Sequence, residues 1–205
     1  MNNSNYDDNR IKKIEKAFNG STRFHIESSD DFNNAIDHII GLLNDSFTLI
    51  TSNSFGSAVF LAITALEETA KTHFSMYLKH DLNIKGNDDI LMQHFQKHFL
   101  SVSPVFKIGD RLAKVLGNEK IDEIISNIDQ KNGLMDLRNN AIYWYTDVDG
   151  NHFPKDYVDK NLAQELLLFS IEAFDDNLVG YTSYSIEASN RTDVIFQKVA
   201  EQYIV

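Results

Sequence analysis

Cysteine is absent from this chain, which excludes disulfides, thiolate nucleophiles and cysteine-ligated zinc together. Proline occurs only at Pro104 and Pro154, and nine glycines are spread over 205 residues. Folds made of many short strands need frequent turns, and turns draw on both residue types. Such scarcity favours long helices joined by short polar loops. Long hydrophobic runs are missing as well. The longest, from Ser57 to Leu66, stops at Glu67-Glu68 and falls short of the ~20 residues that a membrane-spanning helix needs. The opening residues, Met1 to Asp8, have no basic start followed by an apolar stretch, so a cytoplasmic location without membrane attachment is expected. Positive charge is also in deficit: 19 Lys and Arg against 30 Asp and Glu give a net charge of -11. A general nucleic-acid binder is basic over its whole surface. Any RNA handled here must therefore meet a local basic site.

What is present suits one globular domain. Apolar residues make up 42% and charged residues 24%, enough to form a full core around a soluble surface. Helical spacing predicts an all-α bundle with short extra helices, spanning 1–205 as one domain with a core at about 30–180. Residues 1–10 read as a flexible lead-in and 11–18 as a short helix. Ser28-Ser29-Asp30-Asp31 opens a capped helix running to about Ser46. The stretch 54–80 is apolar on two sides, through Ala58, Leu61, Ala65 and Met76 on one and Val59, Ile63, Leu66, Ala70 and Tyr77 on the other, which marks a central helix. After a loop at Asn83–Asn87, Asp88-Asp89 opens a helix carrying His94. Shorter helices follow at 104–116 and 119–129, then one near 134–146 that ends in the turn cluster Asp147–Asn151. Helices at about 158–178 and 190–203 complete the chain.

Three clusters carry possible chemistry. On the central helix, a polar stripe contains Thr64, Glu67, Glu68, Lys71 and Ser75. Either acid can pair with Lys71 at helical spacing, and the plain reading is a solvated ion pair. The apolar flanks argue instead that the stripe is partly enclosed, where a charge needs a partner. The second cluster places His94, Lys97 and His98 on one helical face. Two such histidines can act as acid and base or bind a metal; a basic solvent face is the plain alternative. Neither a His-Glu-x-x-His motif nor paired Glu-x-x-His motifs occur, so no metal and no other cofactor is expected. The third cluster is Leu137-Arg138-Asn139-Asn140-Ala141-Ile142-Tyr143-Trp144-Tyr145. Read as a helix, it puts Arg138 on the face of Leu134, Ile142 and Tyr145. An arginine there needs acceptors, and Glu67 or Glu68 could supply them. Asn140, Trp144 and Tyr145 also suit stacking and hydrogen bonding with an unpaired nucleotide.

The order of these pieces resembles the AbiV family of abortive-infection proteins, within the HEPN superfamily. The resemblance rests on Ala65-Leu66-Glu67-Glu68-Thr69-Ala70-Lys71, then His94-x-x-Lys97, then Leu137-Arg138 followed by Tyr143, and covers about residues 30–180. It implies a HEPN-like helical bundle that forms a homodimer, and in many HEPN proteins a metal-independent endoribonuclease. Their signature is an arginine, a polar residue, three variable residues and a histidine. Arg138 and Asn139 fit it, whereas Tyr143 stands at the histidine position. The missing imidazole then comes from His94 or His98, or Tyr143 replaces it, or cleavage has been lost. His94 is the first choice, because it aligns with the family's His-x-x-Lys. Arg138 suits the cationic role, with Glu67, Glu68, Lys71, Lys97 and His98 as supports. Two functions follow as expectations. One is an anti-phage effector that cuts host RNA, tRNA or mRNA, on a phage-encoded protein trigger. The other is a non-catalytic interaction module that binds a phage or translation component. On the helix at 54–80, Ser57, Ala58 and Ala62 suggest the close approach of a second protomer.

Overall fold

The computed structural model describes residue 12, residues 14–15, 23–78, 89–102, 110–130 and 132–203. The expected flexible N-terminus, most of the helix at 11–18, the loop at 83–87 and the start of the helix expected at 104 lie outside the described residues. Helix α1 spans Ser29–Thr51, opened by the Ser28 hydroxyl, which accepts the Asp31 N–H at 3.1 Å. Its buried row, Phe32, Ile36, Ile39, Ile40 and Leu43, continues through Ser46 to Ile50, so the helix outruns the expected end at Ser46. The chain then reverses at Asn53, whose φ of 59° is one that asparagine tolerates better than most residues.

Helix α2, Phe55–Ser75, is the central element, packed against α1, against α3 (His94–Ser101) and against α7 (Lys160–Leu178). Both its flanks are buried, as its two-sided pattern requires: Val59, Ile63, Ala65 and Leu66 are at most 1% exposed. It ends five residues before the expected boundary, and Tyr77 is exposed. Ala58 and Ala62 are fully buried, and their carbonyls accept hydroxyl hydrogens from Ser46 at 2.9 Å and Ser170 at 3.0 Å. The small residues therefore serve close helix packing within this chain; of the three offered for an outside contact, only Ser57 is exposed.

A 3-10 turn at Ile90–Met92, capped by the buried Asp89, leads into α3, His94–Ser101. Helices α4, Asp110–Leu116, and α5, Asn118–Asp129, divide at Gly117, which has φ 78°. Helix α6 is short, Met135–Asn140. Helices α7, Lys160–Leu178, and α8, Ser183–Ala200, are capped by the side chains of Asp159 and Thr182. Most of the apolar core lies among α1, α2, α4, α5, α7 and α8. A smaller cluster, with Ala70, Phe74, Leu91 and Phe99, lies under the far half of α2. Glu67 falls between Leu66 of the first cluster and Ala70 of the second.

The helix expected near 134–146 stops at Asn140. Strands β1, Tyr145–Asp147, and β2, Gly150–His152, follow as an antiparallel hairpin pairing Tyr145 with His152 and Asp147 with Gly150. The β-branched and aromatic run Ile142–Thr146 favours a strand. The turn Val148-Asp149 is stabilised by the Asp147 carboxylate, which accepts the Asp149 N–H at 2.8 Å. Arg138 consequently shares no helical face with Ile142 or Tyr145, contrary to the helical reading.

Gly56 sets how close this segment comes to α2. A Cβ on Gly56 would lie 2.1 Å from the Ala141 carbonyl oxygen. Alanine is ordinarily the better helix former, yet Gly56→Ala must push the end of α6 away from α2. A loss of about 1–3 kcal/mol is expected, as for an overpacked core, measured as a lowered melting temperature. An unchanged or raised value would show that the contact yields freely.

Candidate active site

Glu67 is 2% exposed, and four side chains from two other helices converge on its carboxylate. Helix α3 supplies three of them. His94 Nδ1 lies 2.6 Å from Oε2, Lys97 Nζ 3.2 Å from Oε2, and His98 Nε2 2.8 Å from Oε1. The 94/97/98 spacing makes this possible, because all three lie on one side of a helix that crosses α2. Helix α6 supplies the fourth, Arg138, whose Nε stands 3.4 Å from Oε1 as an ion pair without hydrogen-bond geometry. The guanidinium also covers the Phe60 ring, 4.3 Å from its centroid.

The protons in this cluster can be assigned. The Leu134 N–H donates to His98 Nδ1 at 3.2 Å. Nδ1 therefore holds a lone pair, and the neutral ring carries its hydrogen on Nε2, donated to Glu67. Burial lowers the His98 pKa against the pull of Glu67, which agrees with a neutral ring. This tautomer has no lone pair on Nε2 to offer a metal ion alongside Glu67. His98, fully buried, is thus a structural link from Glu67 to the start of α6. Gly133, at φ 54°, makes room for it: a Cβ there would lie 3.1 Å from His98 Nδ1.

His94 differs. Its side chain is 42% exposed, Nδ1 is tied to Glu67, and Nε2 has no partner among the described residues. A carboxylate behind one ring nitrogen, with the other open to solvent, is the arrangement of an oriented general base. Burial pushes the Glu67 pKa up, but hydrogen bonds from His98 and His94 and the charge of Lys97 outweigh it and hold it at about 2. Glu67 therefore stays ionised as an orienting group.

Other candidates lie elsewhere. Glu68 pairs with Lys71, and the Lys71 ammonium sits 4.6 Å over the Phe24 ring, so this pair faces the segment before α1 rather than Arg138. Asn139 uses its backbone carbonyl to accept the N–H groups of Ile142 and Tyr143, at 3.1 and 2.9 Å. Tyr143 is 61% exposed, beyond the end of α6, and takes no part in the Glu67 cluster. Asn140 is half-buried at the helix end. Tyr145 is engaged on one hairpin face, stacked on His152 at 4.7 Å and bonded to the Tyr157 hydroxyl at 2.6 Å. Trp144 stacks on Phe153 at 6.2 Å and stays exposed, with Lys155 near the same ring.

Sequence reasoning did not find Phe60, Phe153 or the Leu134 N–H. It also missed a second ionic cluster. Arg111 of α4 binds Glu172 and Asp175 of α7 and Asp193 of α8, and stacks on Phe196 at 4.4 Å. These residues are dispersed along the chain, and no spacing motif joins them.

An all-helical core thus gathers an arginine and an imidazole on one buried carboxylate. The AbiV family profile, HEPN_AbiV, matches residues 29–172, and the chain belongs to that family of abortive-infection HEPN proteins. No curated protein and no solved structure matches it. Among the described residues, no helix is long and apolar enough to cross a membrane.

The depressed pKa of Glu67 fixes the sign of one pH effect. Its folded value lies below its ordinary value of 4.5, so its stabilisation is complete above that pH and is lost as the pH falls toward 2. Glu67→Gln leaves Lys97 and Arg138 without their counter-charge, and a loss of about 3–5 kcal/mol is expected at pH 7. Urea unfolding should show that deficit shrinking below pH 4. A deficit independent of pH would mean that packing, not charge, is what Glu67 contributes.

Proposed function

We propose that this protein is an abortive-infection effector that cleaves host RNA without a metal, with His94 as the base, Arg138 as the cation and Glu67 orienting both. The observation that carries this reading is Glu67 itself, with one oxygen on His94 and the other facing Arg138. The reaction is attack of a ribose 2′-hydroxyl on the adjacent phosphorus, which breaks the bond to the 5′-oxygen of the next nucleotide. His94 Nε2 takes the 2′-hydroxyl proton. Arg138 faces the charge that develops on the phosphate, which a guanidinium can grip at two oxygens. The leaving 5′-oxygen needs a proton from the far side of the phosphorus. In this reading a second protomer supplies it across a shared cleft, which makes the homodimer part of the chemistry.

Trp144 and Phe153 support RNA as the substrate, since two near-parallel exposed rings beside Lys155 offer a stacking surface for unpaired bases. Trp144 is the single tryptophan of the chain. Unpaired RNA in the cleft is therefore expected to quench its fluorescence, and duplex RNA of the same sequence to do so far less. Equal quenching by both would remove the stacking role.

One observation favours the other reading, a binding module without cleavage. Tyr143, at the position of the signature histidine, is exposed and makes no bond to the Glu67 cluster. Purified protein incubated with total RNA and tRNA, with and without chelator, separates the two. Cleavage that survives chelation, falls about 10²-fold or more in His94→Ala, and persists in Tyr143→Phe is the expected result. Arg138→Lys, which keeps charge but not the planar fork, should lose most activity as well. A wild-type dimer with no cleavage in the presence of its trigger, or greater damage from Tyr143→Phe than from His94→Ala, would give the binding module the lead.

A further inference from the structure

Gly41 lies near the middle of α1, where a glycine weakens a helix relative to alanine. Gly56 has an internal reason to be glycine, since the Ala141 carbonyl occupies the space of its Cβ. At Gly41 nothing among the described residues lies within 4 Å of the position a Cβ would take. No described residue makes use of the room this glycine leaves.

That room opens into a groove of about 590 Å³ between α1 and α8. Phe47 and the half-exposed Val194 contribute apolar surface, and Asn44, Arg191 and Lys198 contribute polar groups. Among the described residues no carboxylate lines the groove, although the chain carries a net charge of -11. Arg191 is paired with Asp37 at 2.7 Å. Lys198 lies 5.9 Å over the Phe47 ring and has no ion-pair partner among the described residues.

We propose that this groove docks an acidic amphipathic helix of a partner protein, with the partner backbone crossing α1 at Gly41. The missing Cβ permits a close helix approach, Phe47 and Val194 receive apolar side chains, and Lys198 meets a carboxylate. A second copy of this chain fits poorly. A two-fold contact of this groove with itself would offer Lys198 no carboxylate, since the groove's lining holds none among the described residues. None of the lining residues belongs to the Glu67 cluster, so the proposal does not depend on RNA cleavage.

The first test concerns the glycine. Gly41→Ala should raise the melting temperature by about 2–4 °C, because alanine favours the helix and meets no neighbour. A lowered value would show that the fold requires glycine there and would overturn the argument. The second uses two fluorescein-labelled helical peptides with one leucine pattern, the solvent positions being Glu in one and Lys in the other. Fluorescence anisotropy should show binding of the Glu peptide alone, weakened about tenfold or more by Gly41→Leu and by Lys198→Glu. Lys198 is exposed, so its variant retains the fold if Gly41→Leu does not. Absence of binding, equal binding of both peptides, or binding indifferent to either substitution would overturn the proposal. So would a wild-type dimer, seen by sedimentation, that Gly41→Leu dissociates, since the occupant would then be a second copy.

Discussion

A carboxylate buried in the middle of a helical bundle is the constraint on which the rest of this structure depends. Glu67 would be strongly destabilising alone, because an ionised group in an apolar interior loses its hydration. It is tolerated because α3 and α6 both bring partners to it. Helix α3 reaches both oxygens, through His94 and Lys97 on one and His98 on the other, and α6 adds the Arg138 charge beside the second. The packing of three helices is thus tied to one charge. The same arrangement leaves His94 held on one nitrogen and open on the other.

The framework that holds Glu67 is built from small residues and close backbone contacts. Ala58 and Ala62 let α1 and α7 approach α2 closely enough for Ser46 and Ser170 to bond its carbonyls. Gly56 does the same for the segment after α6, and Gly133 for His98. The Gly56 and Gly133 contacts flank α6 at its two ends and so bear on where Arg138 sits relative to α2. The position of the guanidinium is therefore a property of the whole bundle, while α6 alone, at six residues, could not hold it.

The second ionic cluster works in the opposite electrostatic sense. Arg111 faces three carboxylates, and burial, helped by Asp193 and Glu172 and opposed by Arg111, pushes the Asp175 pKa up to about 7. A folded pKa above the ordinary one means that stability from Asp175 is fullest in acid and is lost as the pH rises through 7. Glu67 loses its contribution in acid, so the two clusters press on stability from opposite sides. Arg111 ties α4 to α7 and α8, while Glu67 ties α2 to α3 and α6, and together they join most of the helices.

The sequence by itself determined the helical class, the capped start of α1 at Ser28, the central position of α2 and the family. Each is written in local spacing: apolar residues at helical intervals, a cap beside its helix, motifs in a fixed order. The face shared by His94, Lys97 and His98 was legible for the same reason. Other features were decided only by tertiary structure. Nothing local says that Glu67, rather than Glu68, turns inward to meet those residues, because the choice depends on where α3 crosses α2. The end of α6 at Asn140 was hidden too, since Ile142 to Thr146 can read as a helix face until hairpin pairing claims it. The role of Ala58 and Ala62 was misjudged because small residues admit a neighbour without specifying whether it belongs to the same chain. Arg111 and its three acids lie up to 82 residues apart, and only folding makes them one cluster. Local pattern fixes which surface an element buries, whereas long-range packing decides what that surface meets.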